Sequence, residues 1–211
     1  MNEASFSGRF FPLGCFAMMG RKREKYGLIL DAAEKVMASS GYHGAQVSRI
    51  AREAGVADGT VYLYFKNKED LLVSLFRERL GSLVQRFHDS IRETHTAGEA
   101  LRIVCGIHFT MLEKHPDLAH VTQIELRQSS PRLRSAIGLT VKPYIVLIEN
   151  IVRKGIEENT FRADLDTKLT RLLLFGAMDQ VVTSWLISGR KYSLAGQVDK
   201  TVDFFLRGLE R

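Results

Sequence analysis

Beyond residue 20 the apolar positions recur with helical spacing, and no segment alternates as a half-buried strand would. Leu28, Ile29, Ala32, Ala33, Val36 and Met37 form one stripe, which predicts a helix closing at Ser39-Ser40-Gly41. A short helix at 47–54 should end at Gly55, and a second should cover 58–64. "KNKED" then opens a long helix whose apolar positions continue through Phe87. "EALRIVCGIHFTMLEKH" is apolar nearly all round, so it is expected at the centre of a bundle. Pro116 should end that helix, and Pro131 suits the first turn of a later one. Pro143 predicts a kink or break there, because it removes a donor and crowds the preceding turn. Asp164 or Asp166 can cap "TKLTRLLLFGAMDQVVTSWLIS", and "AGQVDKTVDFFLRGLE" closes the chain. The fold class is all-α, with a small helical head over 20–70 and a larger helical body over 71–211. Residues 1–19 read as a disordered extension or as a start placed too early, Met18 or Met19 being the alternative start.

Composition narrows the function more than the fold. The 211 residues, 45% apolar, are enough to bury a substantial core. A net charge of +6 leans toward polyanions, but residues 1–70 hold 10 basic against 8 acidic side chains, so net charge locates no face. Cys15 and Cys105 lack paired spacing, which fits a reducing cytoplasm rather than a disulfide framework. No apolar run reads as reaching the roughly 18–20 residues of a bilayer span, so no membrane partner is expected. The six histidines are scattered without metal-ligand spacing, and neither a Gly-rich phosphate loop nor a nucleophile elbow occurs. Cys105 on its apolar helix reads as an inert core thiol. Neither an enzyme nor a cofactor is expected.

The head carries the sharper signal. "VSRIAREAGVADGTVYLYF" supplies the parts of a helix-turn-helix: a short helix, a turn with Gly, and a second helix crossing the first. Ile50, Ala51 and Ala54 face inward, Gly55 can take the positive φ of the turn, and Val56, Val61 and Phe65 continue the core. Left outward are Asp58, Gly59, Thr60, Tyr62 and Leu63, with Tyr64 at the edge. This surface holds one acid and no base. Asp58 is read first as the cap of the second helix, and alternatively as an acceptor for a cytosine amino group. Positive charge must come from neighbours: Arg21, Lys22, Arg23 and Lys25 on a flexible arm, Arg49 and Arg52, then Lys66 and Lys68.

"GYHGAQVSRIAREAGVADGTVYLYFKNKEDLL" resembles the DNA-binding signature of the TetR family of bacterial repressors. With the later "AHVTQIELRQS" and "TSWLIS…KY", the chain is similar to the branch of that family that represses fatty-acid degradation. The resemblance implies a dimer on double-stranded DNA with a pseudo-palindromic operator. It implies contacts from Thr60, Tyr62 and Tyr64 on the second helix, with Lys68 as a phosphate clamp; Gln46, Ser48, Arg49, Asp58, Gly59, Leu63 and Lys66 complete the candidate DNA-binding set. One departure stands out: many members carry Ser or Thr where this chain has Ala45 and Gln46, and Ala45 can neither cap a helix nor touch phosphate.

In the body, Gly176, Ala177 and Ser184 permit close helix contact, and Leu173, Val181, Trp185, Phe204 and Leu209 offer anchors for a two-fold contact of the last two helices. Val104, Ile107, His108, Met111, Gln123, Tyr144, Ile148 and Trp185 are candidates for an effector lining. From the residues alone they read first as ordinary core, and only second as a ligand lining. The resemblance implies a tunnel for the acyl chain of a long-chain acyl-CoA and basic residues for its phosphates; Arg127, Arg132, Arg134 and Lys142, clustered around a turn beside the apolar region, are candidates by position alone. An efflux-type regulator with another hydrophobic or cationic ligand is the alternative; Glu125 and Glu149 are the acids it would have to use.

Overall fold

A computed structural model of the chain describes residues 13–125 and 131–210. Among these residues it contains nine α-helices and one isolated β-bridge, between Phe161 and Glu210. The head is built from α1 (Leu13–Gly44), α2 (Val47–Glu53) and α3 (Asp58–Tyr62). The stripe expected on α1 is buried at Ile29, Ala32, Ala33, Val36 and Met37, while Leu28 at its margin stays 46% exposed. Gly41 leaves helical geometry at φ 68° and ψ 164°, so the last turn of α1 is set off from the rest.

The body is built from α4 (Lys68–Ser90), α5 (Ala97–Lys114), α6 (Pro116–Glu125), α7 (Pro131–Glu157), α8 (Thr167–Ile187) and α9 (Val198–Leu209). Helix α5 is the central one: it touches α4, α6, α7, α8 and α9 and buries Leu101, Val104, Cys105, Phe109 and Leu112. A reciprocal cap starts it, with Thr96 Oγ1 accepting from the Glu99 N–H and Glu99 Oε2 accepting from the Thr96 N–H. Asp166, not Asp164, caps α8, accepting from the N–H groups of Lys168 and Leu169. Gly155 on α7 lies under the Phe161 ring, where even a methyl group would meet the ring carbons at 2.2 Å. That close fit holds the α7–α8 connection, and the Arg162 N–H donates to the Leu209 carbonyl to tie in the end of α9.

Two readings of α7 change. Of the kink or break expected at Pro143, the break does not occur, and the helix runs through. The carbonyl that loses its partner belongs to Leu139, and both residues lie on the exposed face, where solvent can satisfy it. The inward face (Ile137, Val141, Tyr144, Ile148) is buried and holds the helix in register. The same helix has a window of mean hydropathy 1.4, long and apolar enough by composition to cross a membrane, where the sequence reading found no such run. Its apolar residues form an inward stripe against α4, α5 and α8, the pattern of a core helix.

Head and body share a core. The head cluster, including Ile50, Val61 and Phe65, continues into Leu72, Leu75 and Phe76 of α4, Val121 of α6, and Leu133, Ile137 and Val141 of α7. The second cluster surrounds α5, and Leu80 and Phe175 pack against both. The head therefore cannot shift without disturbing α4, α6 and the start of α7.

Candidate DNA-reading head and effector cavity

The turn between α2 and α3 is fixed by Gly55 at φ +66°. Its N–H donates to the Arg52 carbonyl (3.2 Å), and the Val56 N–H donates to the Ala51 carbonyl (3.0 Å), closing α2 with two bonds that need a left-handed residue at position 55. Val56 packs onto the head core and sets the angle at which α3 leaves. The cap of α3 is Ala57, with no side-chain hydrogen bond. Asp58 is the first helical residue rather than the cap, so that expectation is corrected. Its carboxylate sits in the first turn, where the helix dipole favours an anion.

Tyr62 (56% exposed) and Leu63 (79%) project outward with Asp58 and Gly59, and Thr60 is half-buried. Gln46 stands at the start of α2 without a side-chain cap bond. With Ser48, Asp58, Tyr62 and Lys68 it lines an open hollow of about 480 Å³ on the α2–α3 face. Arg49 and Lys66 flank this face and are exposed. Tyr64 is half-buried instead, its ring 6.4 Å from that of Tyr26 on α1. Lys22, Arg23 and Lys25 are exposed but helical, part of α1 and not a flexible arm; the side chain of Arg21 lies outside the described residues.

Lys68 occupies an unexpected position. Its ammonium donates to the carbonyls of Tyr42 (2.9 Å), His43 (3.2 Å) and Ala45 (3.1 Å), and lies 4.7 Å from the centre of the Tyr42 ring. An ammonium has three N–H donors. All three are taken up by the backbone that joins α1 to α2. Asn67 caps α4 by accepting from the Asp70 N–H (2.8 Å), so Lys68 starts α4 with a fixed direction.

In the body, a small, partly open cavity of about 30 Å³ lies between α4, α5, α6, α7 and α8. Of the expected lining, His108, Met111, Gln123 and Tyr144 border it. Val104 and Ile148 are buried elsewhere in the core, and Ile107 packs at its edge. Trp185 is buried too, with its indole N–H donating to the Tyr192 carbonyl (2.9 Å), a structural placement away from the cavity. Arg132, Arg134 and Lys142 are exposed on α7 and do not border the cavity. Arg127 lies outside the described residues. The lining that sequence reasoning missed comes from α4 (Phe76, Arg79, Leu80, Leu83), α6 (Leu118, Thr122), α7 (Val141) and α8 (Phe175, Asp179). Glu149 instead accepts from Arg153 and Arg171, each at 3.0 Å.

The polar features of the cavity are few. Tyr144 Oη and His108 Nδ1 are 3.3 Å apart, and His108 Nε2 is buried without a hydrogen-bond partner. Burial pushes the His108 imidazole down to about 4 and the Tyr144 phenol up, so both are neutral near pH 7. Cys105 is buried, and desolvation pushes its thiol up to about 12; it is no nucleophile at neutral pH.

On α8 and α9, Leu172 and Leu173, Ile187 (80%) and Phe204 (75%) are exposed, with Gly176 and Ser184 between them. Leu209, expected on this surface, is instead buried in the body, as Trp185 is.

Residues 29–75 match the family described as bacterial regulatory proteins, tetR family, and residues 76–208 match the YsiA-like C-terminal region of the same family. The chain belongs to the TetR family. Within it, the chain is 44% identical over 191 residues to the fatty acid metabolism regulator protein of Bacillus subtilis, covering 90% of this chain and 98% of that protein. The crystal structure of FadR from Bacillus subtilis in complex with stearoyl-CoA matches with a TM-score of 0.85 at 44% identity, over 87% of this chain and 98% of that one. FadR from Bacillus halodurans, a fatty acid degradation regulator, matches with a TM-score of 0.84 at 44% identity, over 88% and 100%. These TetR-family relatives are transcriptional regulators, not enzymes, and the division of the family match at residues 75 and 76 falls within α4, the helix shared by head and body.

Proposed function

We propose that this chain is a dimeric transcriptional repressor of fatty-acid-degradation genes, released from its operator by long-chain acyl-CoA. The observation that carries the reading is the apolar cavity with one neutral His–Tyr pair, placed directly behind α4 in a chain that matches FadR along nearly its whole length. At about 30 Å³ the cavity holds no more than a water or two, far less than a long acyl chain. A ligand must therefore displace packed side chains, Met111 being the most adaptable of them. Because α4 lines the cavity and also roots the head, that displacement reaches the DNA-binding face.

Gln46, Ser48, Arg49, Asp58, Gly59, Thr60, Tyr62 and Leu63 form the reading edge, with Tyr62 offering both a ring and a hydroxyl to the major groove. Backbone N–H groups at the start of α3 add phosphate contacts without formal charge. Lys68 acts by positioning: it locks the α1–α2 joint and so the angle of α2. The exposed stripes of α8 and α9 pair with a second copy, giving two heads for two half-sites about one helical turn apart. A target on chromosomal DNA places the protein in the cytoplasm. The test is an operator titration at fixed salt with and without acyl-CoA; unchanged operator affinity at saturating acyl-CoA overturns the effector assignment.

A further inference from the structure

Helix α9 rests chiefly on α5, and the row of α5 that receives it is Gly98, Arg102 and Gly106. Residues four apart lie on one side of a helix, so these three face α9 together. The two glycines let α9 come close. A methyl group at Gly98 would already meet the Leu206 side chain at 3.4 Å, and one at Gly106 would meet Val198 at 4.0 Å. Between them Arg102 reaches across the seam. Its Nη1 donates to Asp199 and its Nη2 to Asp203 (3.0 Å), two acids one turn apart on α9.

A carboxylate of α5 sets where α9 begins. Glu113 accepts from the N–H groups of Leu194 (2.7 Å) and Ala195 (3.4 Å), at the start of the single turn Ala195–Gln197 that leads into α9. The helix is thus held at its entry by Glu113 and further along by Arg102. Its apolar stripe, Val202, Phe205 and Leu209, is buried against the body. Apolar burial is non-directional, so that stripe holds α9 down without fixing its register along α5. The directional contacts do that. Register matters for Phe204, which follows Asp203 and is 75% exposed. A slip of one residue would swing Phe204 by about 100° round the helix axis.

We propose that Arg102 is a positioning residue for self-association: by holding Asp199 and Asp203 it fixes the register of α9 on α5, and so the direction in which Phe204 meets a second copy. The proposal rests on the dimer reading above and names what orders that surface. Arg102 borders neither the cavity nor the hollow on the α2–α3 face. Its loss therefore lowers operator binding only through the supply of paired heads. The two ion pairs lie on the solvent side of the seam, so salt screens them and self-association weakens as salt rises.

The experiment is sedimentation equilibrium on the full chain, on Arg102→Gln, on the pair Asp199→Asn with Asp203→Asn, and on all three substitutions together. Arg102→Gln and the acid pair are each expected to weaken self-association about fivefold, with helicity and Trp185 emission unchanged. The triple variant is expected to lose the same factor of about five and not the product of about 25, because the partners act as one contact. Operator titration should show the loss at protein concentrations near the dimer dissociation constant and none well above it. If Arg102→Gln self-associates within twofold of normal, Arg102 does not set the register. If the losses multiply in the triple variant, Arg102 and the acids act separately, each on the second copy, and the positioning role is overturned. If the unaltered chain is monomeric at every concentration, the dimer reading itself fails, and this inference with it.

Discussion

The Lys68 ammonium donates to the Ala45 carbonyl at 3.1 Å, joining the start of α4 to the residue just before α2. With Tyr42 and His43 as its other two acceptors, it has no N–H left for DNA phosphate. Lys68→Met is therefore expected to lower stability by about 1 kcal/mol and to weaken operator binding indirectly. Salt separates the roles. Each lost phosphate contact lowers the slope of log affinity against log salt by about 0.9. An unchanged slope in Lys68→Met supports the positioning role; a slope reduced by that step assigns Lys68 to phosphate.

Tyr62 is exposed and makes none of the ring contacts that hold Tyr64 against Tyr26. Tyr62→Ala should leave the melting temperature unchanged and weaken operator binding by about 1–3 kcal/mol. Tyr62→Phe should lose only the hydroxyl share, about 1 kcal/mol. Filter or fluorescence titration on the operator checks both, and equal affinity for all three chains removes Tyr62 from the reading edge.

His108 is neutral and buried, with its titration moved from 6.5 to about 4. Above pH 6.5 neither the folded nor the unfolded chain protonates it, and it leaves stability unaffected. As pH falls from about 6.5 to about 4 the unfolded chain takes up the proton and the folded chain does not, so stability falls by roughly 1.4 kcal/mol per pH unit, to a total of about 3 kcal/mol. Below about 4 both forms are protonated and the loss levels off. Urea denaturation from pH 7.5 to 4.5 should show this slope, and His108→Gln should flatten it by one proton's worth. Parallel pH profiles for the two chains would contradict a buried neutral imidazole.

Ile187 on α8 and Phe204 on α9 are among the most exposed large apolar side chains of the described residues. Phe204→Glu should cost nothing in folding of the single chain. It should weaken self-association by about 2 kcal/mol or more, as loss of a central aromatic anchor does. Sedimentation velocity reads this directly, and operator affinity should fall in parallel. A dimer of undiminished strength would move the interface elsewhere.

The sequence was most readable where a residue acts on its own neighbours. Gly55 announced the turn because no other residue sits easily at φ +66°, and the cap of α8 was narrowed to Asp164 or Asp166, of which Asp166 accepts from the N–H groups two and three residues on. Long-range partners were hidden. Lys68 reaches carbonyls 23 to 26 residues back, and a backbone carbonyl leaves no mark in a sequence. Trp185 resembled an apolar anchor, although its indole N–H goes to the Tyr192 carbonyl. Arg79 did leave a signal, a charge on an apolar stripe, but its acids, Glu34 and Asp31, lie 45 and 48 residues away. Pro143 misled because its cost depends on whether the freed carbonyl faces water, which periodicity alone does not price.

Filling the cavity behind α4 is expected to loosen the grip of α2 and α3 on DNA. The most direct measurement is operator affinity at constant salt across an acyl-CoA series from short to long chains, with free CoA as reference. Affinity should fall progressively with chain length, and free CoA should have little effect. Operator affinity that is the same with every acyl-CoA as without would contradict it.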